Sequence, residues 1–207
     1  MQTKTVKLLL AAVFMSIIFA VFTISYIINM KVNIEDSVLR LHIIGASDTV
    51  LDQKLKLCVR DRILSDFSSA LSDCSSVSDS KKIVLQNIEQ IKSAAEDELR
   101  KRGCCYTVTA NIEECGFPTK KYGSIILPAG RYSALNIRIG PAMGQNWWCV
   151  MYPPLCITDT SVEISEKSKE KLKNILSYEE YKLICDSESS DIKIKFKIAE
   201  IIGKYFR

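Results

Sequence analysis

The chain predicts an α+β domain, with an antiparallel sheet and helices packed on one face, preceded by one N-terminal transmembrane or signal-anchor helix. Three observations carry this. An uncharged run fills residues 8–30, two stretches between residues 50 and 102 repeat their apolar positions at helical spacing, and the pattern turns to strict alternation after Gly103. At 207 residues, 47% hydrophobic and 25% charged, the chain holds one medium domain besides its membrane-length segment and has no room for a second large one. The division expected is an anchor or signal segment over residues 1–31 and an extracytoplasmic domain over residues 38–207.

Lys4 and Lys7 precede the run LLLAAVFMSIIFAVFTISYIINM, Leu8 to Met30, and Lys31 follows it. About 23 apolar residues exceed the core of a signal peptide and span a bilayer with some tilt. Basic residues on the N-terminal side place that end in the cytoplasm and the rest of the chain outside it. Cleavage after Ala20 is the alternative, and in both cases the working part is extracytoplasmic.

Val38 to Ile44, VLRLHII, reads as a strand entering the loop Gly45-Ala46-Ser47-Asp48. Thr49 with Asp52 resembles a capping box. Leu51, Leu55, Cys58, Val59, Ile63 and Phe67 then mark a helix, with Lys54, Lys56, Arg60 and Asp61 read as its solvated face. The serine-rich stretch 71–80 reads as a loop. Val84, Ile88, Ile91, Ala95 and Leu99 form the stripe of a second helix, closed by Arg100, Lys101, Arg102 and Gly103.

Tyr106, Val108, Ala110 and Ile112 alternate as a strand that Gly116-Phe117-Pro118 interrupts. Residues 122–127 read as one short strand and Pro128-Ala129-Gly130 as a turn. Leu135, Ile137 and Ile139 pattern the next strand up to Gly140-Pro141. Residues 161–185 read as helical around Leu172, Ile175 and Leu176. The alternation of Ile192, Ile194, Phe196 and Ile198 leaves strand and helix both open.

The densest stretch is GQNWWCVMYPPLC, Gly144 to Cys156. As a strand it points Gln145, Trp147, Cys149 and Met151 one way and Asn146, Trp148, Val150 and Tyr152 the other, before Pro153-Pro154 stops it. One reading is a central strand covered on both faces. The other leaves one tryptophan exposed as an anchor for a partner.

Eight cysteines outside the cytoplasm permit disulfides, and Cys149 with Cys156 is the first pairing expected, because a turn at Pro153-Pro154 returns the chain. One histidine and no CxxC motif argue against a zinc site. The chain shows no phosphate-binding glycine loop, GxSxG elbow or HExxH motif, so no cofactor and no small-molecule substrate are expected. The net charge of +4 is spread along the chain without an aromatic-studded basic patch, which argues against nucleic acid.

The blocks LRLHIIGASD (Leu39 to Asp48), DQKLKLCVRD (Asp52 to Asp61), GFPTKKYG (Gly116 to Gly123), LPAGRYSALNIRIG (Leu127 to Gly140) and GQNWWCVMYPPLC resemble, in that order, the stage II sporulation protein R family. They include His42, Ser47, Asp48, Arg60, Asp61, Gln145 and Trp147. Gly45-Ala46 departs from the Ala-Asn expected before Ser-Asp. The resemblance implies a signal rather than an enzyme. Members are made in the forespore and exported into the space between the forespore and mother-cell membranes. There they are required to activate a membrane-embedded aspartic protease of the mother cell, which processes a sigma-factor precursor.

Contact with such a receptor is expected from Asn146, Trp148, Phe117, Lys120 and Tyr122, where loops and strand ends display polar and aromatic groups together. The competing reading of Phe117 and Trp148 is core filling. Two alternatives from other classes are an extracytoplasmic hydrolase using His42 with a cysteine such as Cys149 or a carboxylate such as Asp48, and a cell-surface structural module.

Overall fold

A computed structural model describes residues 2–156 and 164–185. Helix α1 (Gln2–Asp36) has a mean hydropathy of 2.6 in its most apolar window, and side chains such as Phe14, Phe19 and Phe22 are exposed along it. It does not stop at Lys31. The last turn buries Ile34 and Glu35 in the domain, and only Ser37 and Val38 separate the helix from strand β1 (Leu39–Ile44). The Glu35 carboxylate lies over Gly130, in the space a Cβ there would take.

Three helices follow β1: α2 (Val50–Ser72), α3 (Val77–Gln86) and α4 (Ile88–Arg100). Thr49 caps α2 by accepting from the Asp52 N–H, as the capping reading requires. The carboxylate of Asp52, however, is bonded to the Ser47 hydroxyl rather than to the Thr49 backbone. The serine-rich stretch is not a loop throughout. α2 runs to Ser72, and Ser76 starts α3 by accepting from the Asp79 N–H. The stripe read as one helix is broken at Asn87, which closes α3 and opens α4.

Strand β2 (Val108–Phe117) continues through Gly116 rather than ending there. Residues 122–127 are the turn and second arm of a hairpin, β3 (Lys120–Tyr122) and β4 (Ile125–Leu127), followed by β5 (Gly130–Ile139) and β6 (Asn146–Tyr152). The main sheet has the order β2-β5-β1-β6 and is largely antiparallel, as expected for this α+β fold. One pair, β1 with β5, is parallel, because the chain crosses the three-helix layer before returning to the sheet.

Two cores flank the sheet. The helix-side core joins Leu41 and Ile43 of β1 and Leu135 and Ile137 of β5 to Val59 and Ile63 of α2 and to Ile91 and Ala95 of α4. The opposite core joins Tyr132, Ala134 and Val150 to the β3–β4 hairpin, the end of α1, and helices α5 (Glu166–Ile175) and α6 (Tyr178–Cys185). Elements therefore cover both faces, with α2 to α4 forming the larger helical layer. The residue 161–185 helix is divided at Leu176-Ser177, and its first three residues lie outside the described part, as does the alternating segment Ile192 to Ile198.

Lys56 and Arg60 were expected on a solvated face. They are instead 4% and 6% exposed. Lys56 Nζ donates to Gln53 Oε1 at 2.6 Å and to the Gln145 carbonyl at 2.9 Å, so its burial is compensated by acceptors from a distant loop. Burial is also the main reason its pKa falls below the ordinary lysine value, with Asp48 opposing the shift. Cys58, read as a buried helix residue, is half-buried.

Candidate functional site

The tryptophan strand β6 is an edge strand and not a central one, being the last in the order β2-β5-β1-β6. Its two tryptophans go to opposite faces, as alternation dictates. Trp147 faces α2, where the Arg60 guanidinium carbon lies 4.3 Å from the ring centroid and Arg60 is ion-paired to Asp61 at 2.7 Å. Trp148 faces the other way. The alternation fails at its last position, where a register shift opposite Leu39/Arg40 places Tyr152 in the helix-side core.

The Trp148 side gathers the expected contact residues. Trp148 stacks on His42 with centroids 6.0 Å apart and ring planes at 19°, and Lys120 Nζ lies 5.1 Å from the indole centroid. Asn146, exposed at the start of β6, accepts through Oδ1 from His42 Nε2–H at 2.9 Å, a contact that requires the Nε2-protonated tautomer. Phe117 meets the far side of His42 edge-on at 5.8 Å, but it is only 4% exposed. Tyr122 donates to the Trp148 carbonyl at 3.4 Å. Asn146, Trp148 and Lys120 thus form a surface with His42, and Phe117 and Tyr122 form its floor.

Beneath that floor sits a residue that sequence reasoning passed over. Arg40 is fully buried, its guanidinium 4.0 Å from the Phe117 centroid and 4.6 Å from that of Tyr132, and its Nη2 donates to Tyr122 Oη at 2.6 Å. Desolvated cation–π contacts of this kind contribute on the order of 2 kcal/mol each. The available signal was an arginine in the middle of the apolar strand LRLHII.

Beside the aromatic group the sheet face is polar. Glu113 accepts from both Asn136 and Arg138, which lie on β5 next to His42. Burial lowers the His42 pKa below its ordinary 6.5, the Asn146 contact opposes this, and Arg138 adds to it; His42 is therefore neutral at neutral pH. Among the described residues, His42 Nδ1, Asn136 Oδ1 and Trp148 Nε1 are buried without a hydrogen-bond partner. The free edge of β6 is partly closed, because the Val150 carbonyl accepts from the Leu155 N–H at 3.2 Å and lies 3.0 Å from Cys156 Sγ.

A hydrolytic dyad of His42 with Cys149 is not formed. Cys149 is bonded to Cys156 and packs in the helix-side core, across the sheet from His42. Asp48 is engaged elsewhere, its Oδ1 accepting from the Gln145 N–H at 2.7 Å. Ser47, Asp48, Gln53, Lys56 and Gln145 instead join two loops, reinforced by Met143 N–H to the Ala46 carbonyl at 3.1 Å and Gly144 N–H to the Gly45 carbonyl at 2.9 Å. Ser47, Asp48 and Gln145, expected as family-motif residues, make these loop-joining hydrogen bonds. Among the described residues no group of three or more His, Cys, Asp or Glu side chains is placed to hold a metal ion.

A family model described as stage II sporulation protein R matches residues 35–162. The stage II sporulation protein R of Bacillus subtilis (strain 168) is 32% identical over 191 residues, covering 86% of this chain and 85% of the relative. No solved structure matches.

Proposed function

The chain belongs to the stage II sporulation protein R family, and from that premise we propose that it is an exported, non-catalytic signal of sporulation. It leaves the forespore, stays anchored or is released in the space between the two membranes, and activates a membrane-embedded aspartic protease of the mother cell that processes a sigma-factor precursor. The observation that carries this reading is the Trp148 surface. An aromatic ring stacked on a neutral histidine, capped by Lys120 and flanked by exposed Asn146, is built on a domain whose first helix is long and apolar enough to cross a membrane.

Its chemistry suits recognition better than catalysis. His42 is held by an amide, and the exposed groups beside it, Asn146 and the partly exposed Trp148 and Lys120, are of the polar and aromatic kinds that interfaces use. Activation requires that this surface bind the active arrangement of the protease more tightly than the inactive one, since only differential affinity shifts an equilibrium.

The test is co-expression of the chain with the protease and the sigma-factor precursor in a non-sporulating host, following precursor cleavage. Cleavage that depends on this chain supports an activating signal. No cleavage, with export and expression of all three proteins confirmed, refutes it.

A further inference from the structure

The membrane helix and the C-terminal helices meet at one point. Asn33 Nδ2 donates to Glu180 Oε1 at 3.0 Å, and Glu180 Oε2 accepts from the Ser177 N–H at 2.8 Å, so the start of α6 is fixed to α1. Asn33 lies three residues beyond Met30, where the uncharged run ends, and that is about 4.5 Å of helix rise. The polar layer outside the hydrocarbon is on the order of 5–7 Å deep on each side. An α1 that spans a bilayer therefore carries the first turn of α6 into that layer. No linker lifts it away, because α1 is continuous to Asp36 and Ile34 is buried in the domain.

What α6 displays suits that layer. Tyr178 is 75% exposed, and Lys182, four residues on and so on the same side of the helix, is also exposed. An aromatic ring with a polar tip beside a long cation is the pairing that favours the boundary between hydrocarbon and water. From this geometry we infer that the exposed side of α6, through Tyr178 in its first turn and Lys182 in its second, is a second membrane contact, seated among the lipid headgroups of the leaflet from which α1 emerges. The inference rests on α1 being retained as a span.

The experiment uses the full chain in nanodiscs of phosphatidylcholine and phosphatidylglycerol, with tryptophan emission read against a headgroup nitroxide lipid and an acyl-chain brominated lipid. Three single variants are compared after subtracting the signal of the unsubstituted protein: Tyr178→Trp, Phe19→Trp inside the apolar run, and Met143→Trp. Met143 is 80% exposed beyond the far end of β5, a strand about 30 Å long that begins beside Glu35. The expected result is that the headgroup nitroxide removes at least about half of the emission added by Tyr178→Trp and little of that added by Met143→Trp. The brominated acyl chains should quench the Phe19→Trp signal. Tyr178→Trp behaving like Met143→Trp while Phe19→Trp is quenched overturns the α6 contact and leaves the anchor standing. An unquenched Phe19→Trp overturns the anchor and the contact together.

Discussion

Alanine at Trp148 and alanine at Trp147 are expected to do different things, although the two residues are neighbours. A tryptophan buries on the order of 200 Å² when fully enclosed, and each of these is at least about two-thirds buried, so truncation of either loses roughly 130–180 Å² of contact, or ~3–4.5 kcal/mol. Trp148 also loses its stack on His42 and the Lys120 contact, which at a partly exposed site are worth about 1 kcal/mol together. Trp147 loses the contact with the buried Arg60, of similar size. Both variants should therefore be destabilised by ~4–5 kcal/mol, a loss that a domain above the low end of the ordinary 5–15 kcal/mol of stability survives. The assays are urea unfolding of the purified chain and precursor cleavage in the reconstituted host. Trp148→Ala is expected to remain folded and lose most of the cleavage, whereas Trp147→Ala is expected to lose similar stability and keep cleavage in proportion to the folded fraction. Undiminished cleavage with folded Trp148→Ala would refute the anchoring role, and equal loss with both would show that packing alone is being measured.

Three further outcomes follow from the geometry. Replacing Cys149 and Cys156 together by serine opens a loop closed over a separation of seven residues and should lower stability by about 2.5 kcal/mol on the chain-entropy estimate, read as a lower urea midpoint that reductant no longer changes. Gly144→Ala places a Cβ 2.3 Å from the Ser47 backbone carbonyl, which cannot swing away, so a loss of about 3 kcal/mol and a lower Tm are expected; a Tm within a degree of the parent would show that the two loops are not rigidly joined. Because the folded His42 pKa lies below its ordinary 6.5, the unfolded chain binds the proton more readily. The resulting contribution to stability is present above pH 6.5 and is lost as pH falls through 6.5 towards the folded value, and His42→Gln should flatten that part of the stability–pH curve.

Which features were legible depended on how far apart their causes lie in the chain. The long apolar helix α1, the α2 stripe from Leu55 onward with its Thr49 cap (Leu51, expected on the stripe, is exposed), and the splitting of Trp147 and Trp148 between faces all follow from local period. Two missed features carried local signals. Ser76 with Asp79 is a helix start inside the serine-rich stretch, and Gly123-Ser124 between Tyr122 and Ile125 is a hairpin turn. The rest was not local. Lys56 is buried because the Gln145 carbonyl, 89 residues away, accepts from it, and no helical wheel contains that partner. Arg40 is tolerated in a core only because Phe117, Tyr122 and Tyr132 arrive from three other strands. The parallel pairing of β1 with β5 depends on the crossover through the helical layer, and the displacement of Tyr152 on a register shift against β1.

The junction between α1 and β1 acts as a clamp and not a hinge. With only Ser37 and Val38 between helix and strand, and Ile34 and Glu35 held by the domain, turning the helix turns the sheet. With α1 retained as a span, as proposed, height above the bilayer and compass bearing are thereby coupled through helical phase. One residue inserted after Lys31 would swing the Trp148 face by about 100° while raising it only ~1.5 Å. Seven would bring the bearing back to within about 20° at a height ~10 Å greater. In such an anchored protein the length of α1 between membrane and domain sets the direction in which the surface looks as much as the distance it reaches.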